Sequence, residues 1–345
     1  MQLTYVVNLH KKWNSIYITN GLELSSLKNT NRISFFILFC LLLNITGFSQ
    51  VRDNELPDSV NHQTTPFPTP KKLILGGLQV ALWGGSFYSL NRAWYANYPR
   101  TKFHTFNDWR EWKQMDKAGH IWTTYSISEH TDKLWRWAGT SDKKAAIIGS
   151  LSSICYSSVV EVLDGFSDKW GFSPTDVVAN LSGTGIYLSQ SLLWNEQRVR
   201  IKLSYHPVSY GNLNNRANQL FGTGDIEKML KDYNGQTYWA SINIHSFFPK
   251  TNFPSWINLA LGYGAESMLG GYVNTWYDKS GNYINREDIA RYRKFYISAD
   301  IDLTKIKTRN KVLKTVFSMM NVLKIPAPAL EFNSTGKLRF HPLYY

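Results

Sequence analysis

Apolar positions recur at helical spacing between residues 71 and 198, and every second residue over much of the chain after that. The first part predicts four helices. The first runs from about Lys71 to Tyr95. Its apolar part, Leu73 to Leu90, is broken only by Gln79 and serines and is nearly long enough to cross a bilayer. Gly77, Ala81 and Gly85 lie four apart, a small-residue groove of the kind that lets another helix approach closely. The same pattern suits a buried helix of a soluble bundle, and both readings stay open. The second helix is expected from Asp116 to near Trp137, before Gly139. The third is expected from Ser141 to about Asp164, with Gly165 as its stop. The fourth starts at Ser173, with Pro174 at its first position and Asp176 in its first turn, and ends near Trp194. Asp108-Trp109-Arg110-Glu111 resembles a capping box opening a short amphipathic segment before the second helix.

The second part predicts strands. Phe295, Ile297, Ala299, Ile301 and Leu303 alternate with Tyr296, Ser298, Asp300 and Asp302, which reads as a strand with one wet face. Arg200–Tyr205, Tyr238–Phe247, Trp256–Gly264, Ala329–Asn333 and Lys337–Leu343 look similar, and an amphipathic helix at about Asn310–Leu323 interrupts them. About six strands are fewer than a closed single-chain barrel needs, so a curved or partly open antiparallel sheet is expected. The fold class is therefore α+β: an N-terminal four-helix bundle, membrane-embedded or soluble, then an antiparallel β-sheet region with one amphipathic helix.

The N-terminus changes the picture of location. Lys28 and Arg32 precede the apolar run Ile33–Leu43, and small residues follow up to Ser49 and Gln50, which reads as a secretory signal cleaved near there. An uncleaved anchor is the alternative. Residues 1–50 are thus read as a signal peptide with an N-terminal extension, and the proline-rich residues 51–70 as a disordered linker. Residues 71–198 form the helical bundle domain and 199–345 the β-rich domain. Cys40 follows Phe39 and makes a poor lipid-attachment site; after cleavage only Cys155 remains, so no intramolecular disulfide can form.

The formal net charge of +13 would suit nucleic acid or an anionic membrane. The basic residues are scattered without a stripe or a zinc module, so no nucleic acid is expected. A membrane is the expected partner, with lipids or other envelope proteins beside it. The expected location is the periplasm-facing cell envelope of a Gram-negative-type bacterium, the outer membrane preferred over the inner. Aromatic residues make up 15% of the chain, which suits a membrane interface as well as an ordinary core.

One polar cluster interrupts the apolar helices: Asp116, Lys117 and His120, then Glu161 and Asp164, then Asp176 and Asn180. Asp116 and His120 share a helix face, as do Asp176 and Asn180. Glu161 and Asp164 sit at a helix C-terminus, where the dipole and their mutual repulsion disfavour both carboxylates. A cation should compensate: Lys117, His120, Lys169 or a bound metal. Three readings follow. One is a structural network built on Lys117–carboxylate pairs. The second is a metal or phosphate site with His120, Glu161, Asp164 and Asp176 as ligands, a divalent metal being the one cofactor in view. The third is acid–base hydrolysis of a lipid-linked or cell-wall phosphate, with His120 or Glu161 as catalytic base. Whether the chain is an enzyme is left open, and an envelope component of structural or interaction type leads.

Asp116-Lys117-Ala118-Gly119-His120, Glu161, Asp164-Gly165-Phe166-Ser167, Gly171-Phe172-Ser173, Asp176 and Asn180-Leu181-Ser182-Gly183 resemble the YfiM-like family of predicted periplasmic lipoproteins of unknown function. The same order is similar, more distantly, to VanZ-like membrane proteins. The resemblance covers about residues 71–200. It implies a cell-envelope location and a small helical bundle with short polar motifs, and no established reaction. The chain departs from the family in lacking a convincing lipid-attachment cysteine and in adding a sheet-rich half.

Overall fold

The computed structural model describes residues 70–91, 95 and 98–344. The expected signal peptide, its extension and the expected linker up to residue 69 lie outside the described residues. Four long helices come first: α1 (Pro70–Leu90), α2 (Met115–Trp137), α3 (Asp142–Gly165) and α4 (Pro174–Trp194). The start of α4 follows the local signals. Ser173 is its N-cap, accepting from the Asp176 amide at 3.1 Å, and Pro174 occupies the first turn without wasting a donor.

The α2 helix is the axis on which α3 and α4 pack, and glycines permit it. A Cβ at Gly149 would lie 2.4 Å from the Ser128 carbonyl oxygen, and one at Gly183 would lie 2.3 Å from that of Ile121. Any other residue would force the backbones apart. By contrast Gly77 and Gly85 face open space, so the groove expected on α1 holds no helix among the described residues. Instead α1 is tied on by its polar break: Gln79 donates to Ser152 and accepts from the Trp135 indole.

Asp108–Glu111 does not open an amphipathic α-helix. Glu111–Gln114 is a 3-10 turn in which Trp112, Lys113 and Gln114 have φ of 47°, 54° and 63°. Asp108 is drawn away from any cap there by partners on α2 and α4.

A six-stranded antiparallel sheet follows, in the order β1-β2-β3-β6-β7-β8: β1 (Val199–Tyr205), β2 (Gln236–Asn243), β3 (Ile257–Glu266), β6 (Tyr292–Ile301), β7 (Ala327–Asn333) and β8 (Leu338–Tyr344). The six expected strands are all there. The second ends earlier than expected: the Asn243 side chain caps a helical turn over Ile244–Phe247, which takes His245 out of the strand. The amphipathic helix is α7 (Lys311–Met320). Three features were not foreseen: α5 (Asn214–Phe221), α6 (Asp225–Lys231) and a small hairpin of β4 (Thr275–Tyr277) and β5 (Tyr283–Asn285).

The alternation in β6 is as expected, but its faces are reversed. Tyr296, Ser298 and Asp300 are buried, while Phe295 and Ile297 are exposed, Ile297 by 54%. The supposedly wet face points inward. The same holds in β3, with Asn258 buried and Leu259 and Leu261 exposed, and in β7, with Glu331 buried and Leu330 and Phe332 exposed. Period 2 fixes which residues share a face, not which face meets solvent. The inward polar groups are satisfied by one another. Lys202 Nζ pairs with Asp300 Oδ2 at 2.7 Å with both side chains fully buried, and Arg200 joins Glu129 of α2 to Asp302. Trp239 packs among Ala260, Tyr296, Ala329 and Tyr344 on the same face, and Gly262 leaves room for its ring.

The helices repeat the reversal. Their inner faces carry Thr124, Ser128, Ser153, Ser157, Thr184 and Ser191, all buried. Their outer faces show Ile74, Val80, Leu151, Val178 and Leu193. Helices α1 and α3 are both long and apolar enough to cross a membrane.

Candidate functional site

The site is assembled from one end of three helices and the turn before them. Helix α2 supplies Asp116, Lys117 and His120 from its first turns. The last turns of α3 supply Glu161, the first turns of α4 supply Asp176 and Asn180, and Asp108 reaches in from the connecting segment. Six of the seven predicted residues meet: Asp116, Lys117, His120, Glu161, Asp176 and Asn180. Asp164 is the exception. Its carboxylate accepts from Tyr95 Oη at 2.7 Å, which turns it aside from the ion-pair group.

Lys117 is the hub. Its buried ammonium lies 2.6 Å from Asp108 Oδ2, 2.6 Å from Asp176 Oδ1 and 3.0 Å from Asp116 Oδ2. Burial opposes its charge, but Asp116 and Asp176 outweigh that and hold its pKa above the usual lysine value. Each carboxylate is held in turn. Ser173 and Thr175 donate to Asp108 Oδ1 at 2.7 and 2.6 Å, and Tyr233 donates to Asp116 Oδ1 at 2.7 Å. For Asp108, burial would raise the pKa, but hydrogen bonds from Lys117, Thr175 and Ser173 bring it down to about 2.

His120 is the second cation. Its Nδ1 lies 3.0 Å from Asn180 Oδ1 and 3.5 Å from Glu161 Oε1, and Asn180 donates onward to Glu161 Oε1 at 3.1 Å. Its Nε2 faces Asp176 Oδ1 at 3.5 Å and Asp116 Oδ1 at 3.8 Å. Burial pushes the imidazolium down, yet Asp116, Asp176 and Glu161 raise its pKa to about 9. An imidazole that keeps its proton to that pH is a poor general base near neutrality.

Asp116, His120 and Asp176 offer one ligand atom each, all within 4.8 Å of one another, and these three could hold a metal ion. This differs from the set expected from sequence: Asp116 belongs to it, and Glu161 and Asp164 do not. Binding would have to displace the His120 proton and compete with Lys117 for Asp176. Sequence reasoning missed Asp108, Tyr233, Ser173 and Thr175 as members. Asp108 had a signal, standing eight residues before Asp116 in a polar segment; Tyr233 had none, because it arrives from the far end of a long connection.

Residues 106–191 match a family described as "Predicted periplasmic lipoprotein (DUF2279)". The matched span holds every residue of the cluster except Tyr233. Comparison with curated proteins and with solved structures gives no match. What the family match supports is an exported, envelope-associated periplasmic protein, and over residues 106–191 the chain is similar to that family.

Proposed function

We propose that this chain is a membrane-embedded component of the cell envelope, of structural or interaction type, whose Lys117 cluster ties three helices together inside an apolar exterior. The observation that carries this reading is the reversed polarity of both halves. Polar side chains fill the interior, and large apolar ones cover the outer faces of α1, α3, α4 and the sheet. Water penalises such a surface and hydrocarbon does not. The YfiM-like and VanZ-like likenesses fit the same reading, since both imply envelope or membrane location. The discriminating test is extraction of full-length protein from cell membranes. The chain should resist alkaline carbonate and high salt and be released by detergent. Release by salt alone, as a monodisperse species without detergent, overturns the reading.

A second reading draws on Asp116, His120 and Asp176: a metal-assisted hydrolase acting on a lipid-linked or cell-wall phosphate. It requires tight, stoichiometric binding of a divalent cation that His120→Ala abolishes. Titration with zinc or manganese followed by calorimetry decides it.

A further inference from the structure

The 3-10 turn before α2 forms one wall of a cavity of about 570 Å³, separate from the Lys117 hub. Arg110 and Lys113 line it from the turn, and Arg291 and Arg293 from the segment entering β6. Among the described residues no carboxylate oxygen lies within 4.0 Å of the charged nitrogens of any of the four. Arg110 is exposed and the other three are half-buried, and four cations around one cavity, none of them in an ion pair, repel each other, which a bound anion would relieve. Lys113 shows the repulsion: burial, then Arg293 and Arg291, lower its pKa.

Two of the guanidinium groups are held in place by neutral partners. Arg293 donates to Tyr263 Oη through Nε and to Gln114 Oε1 through Nη2. Arg291 donates to the Gly271 carbonyl through Nη2, while its Nε is buried with no partner among the described residues. Each guanidinium therefore keeps donors to spare. The nearest acid in sequence offsets the charge only in part: Arg291 acts on Glu111, but burial, then Asp116 and Asp108, outweigh it and push Glu111 up to about 7.

The backbone adds a second, independent sign. Trp112, Lys113 and Gln114 are three consecutive left-handed residues without a glycine among them, a backbone that L side chains disfavour. The strained turn is clamped at both ends: the Trp112 amide donates to the Gly271 carbonyl at 2.8 Å, and Tyr263 Oη donates to the Lys113 carbonyl. Strain maintained by such clamps is characteristic of ligand sites. Here it sets the Lys113 side chain on the cavity wall. Gln114, Trp109 and Tyr272 complete the lining, the two aromatic rings substantially exposed.

We propose that this cavity binds a phosphate ester. Guanidinium forks fit phosphate oxygens bidentately, four cations suit a multiply charged anion, and the volume exceeds what a bare ion needs. The two exposed aromatic rings then contact the attached group. The phosphate belongs either to a soluble ester or to a lipid headgroup, and the experiment separates the two. The site stands independently of the membrane reading.

Full-length protein in neutral detergent is titrated calorimetrically with inorganic phosphate and pyrophosphate at constant chloride. Wild type should bind saturably, and R110Q/K113Q should bind about tenfold or more weakly, as expected from two lost charge-assisted contacts. R291Q, placed on a different segment, should weaken binding as well. K143Q/K144Q, which removes two exposed lysines of α3 and the same total charge, should not. In a parallel arm, flotation is measured with phosphatidylglycerol vesicles. A flotation defect confined to R110Q/K113Q and R291Q assigns the site to a headgroup. Equal flotation of all variants, with phosphate binding still impaired in those two, assigns it to a soluble ester. Absence of saturable phosphate binding by wild type, or equal binding by all variants, overturns the site.

Discussion

Two buried charge networks in this molecule differ in their balance. The one between α2 and the sheet sets three cations, Lys133, Arg200 and Lys202, against three acids, Glu129, Asp300 and Asp302. The one at the helix ends sets Lys117 and His120 against Asp108, Asp116, Glu161 and Asp176. In the balanced network the charges satisfy one another. Burial would raise the Glu129 pKa, but Lys133 and Arg200 hold it below the usual carboxylate range. In the acid-rich network, with His120 already counted as a cation, the deficit is met by a proton on an acid: burial and the neighbouring Asp116 push Asp176 up to about 8. A balanced network can only hold the fold together. An unbalanced one holds the fold in a way that also depends on pH.

The comparison can be broken most directly at Lys117. Lys117→Met leaves three carboxylates facing each other in a buried space, and removing one partner of a buried pair costs roughly 3–5 kcal/mol. The loss expected here is at the top of that range or beyond, read as a lowered denaturation midpoint in detergent. A loss below about 1 kcal/mol would mean that the cluster is well hydrated and ties nothing.

The pH dependence should separate the networks next. A pKa raised from 6.5 to about 9 means that His120 contributes its full stability below pH 6.5, and that this is lost as pH rises through about 9. The contribution is on the order of 3 kcal/mol. The groups facing the imidazole are Asp116 on α2, Glu161 on α3, and Asp176 and Asn180 on α4. Glu111, raised to about 7, adds a loss of the same sign between about pH 4.5 and 7. His120→Gln should flatten the upper part of the curve, while Arg200→Gln should lower the whole curve without changing its shape there. Thermal unfolding between pH 6 and 9.5 measures both.

The smallest expected effect sharpens the contrast from the other side. Lys202→Met alone strands Asp300 and should cost about 3–5 kcal/mol. Lys202→Met with Asp300→Asn removes both charges, keeps an acceptor oxygen for the Ile325 amide and turns the contact with Ser241 Oγ into one donated by the new amide nitrogen. The double variant should recover most of the loss, ending within about 1–2 kcal/mol of wild type. No neutral pairwise exchange of this kind exists for Lys117, because it serves three acids at once. If the double variant is as unstable as the single, the sheet network is not self-contained.

Much of this was legible from the residues. The 3.6-residue and two-residue periods located four helices and six strands, and the Ser173-Pro174-Thr175-Asp176 start of α4 was readable because capping is a local interaction. Six of the seven cluster residues were readable because polar side chains in apolar helices need partners. The left-handed turn at Trp112–Gln114 was not, since those side chains have no preference for that backbone and the clamps on it come from Gly271 and Tyr263, more than a hundred residues away. The hydrogen bond that Asp164 accepts from Tyr95 was not legible, because the two residues lie 69 positions apart in the chain.

By itself, then, the sequence determined the elements, the grouping of residues on each face and the need for a cation among the acids, because these follow from spacing and from the cost of an unpaired charge. Only the tertiary structure decided which face looks inward, that Lys117 sits among three carboxylates, and that four cations from two distant segments line one cavity. Those outcomes depend on contacts between residues far apart in the chain, and no local period encodes them.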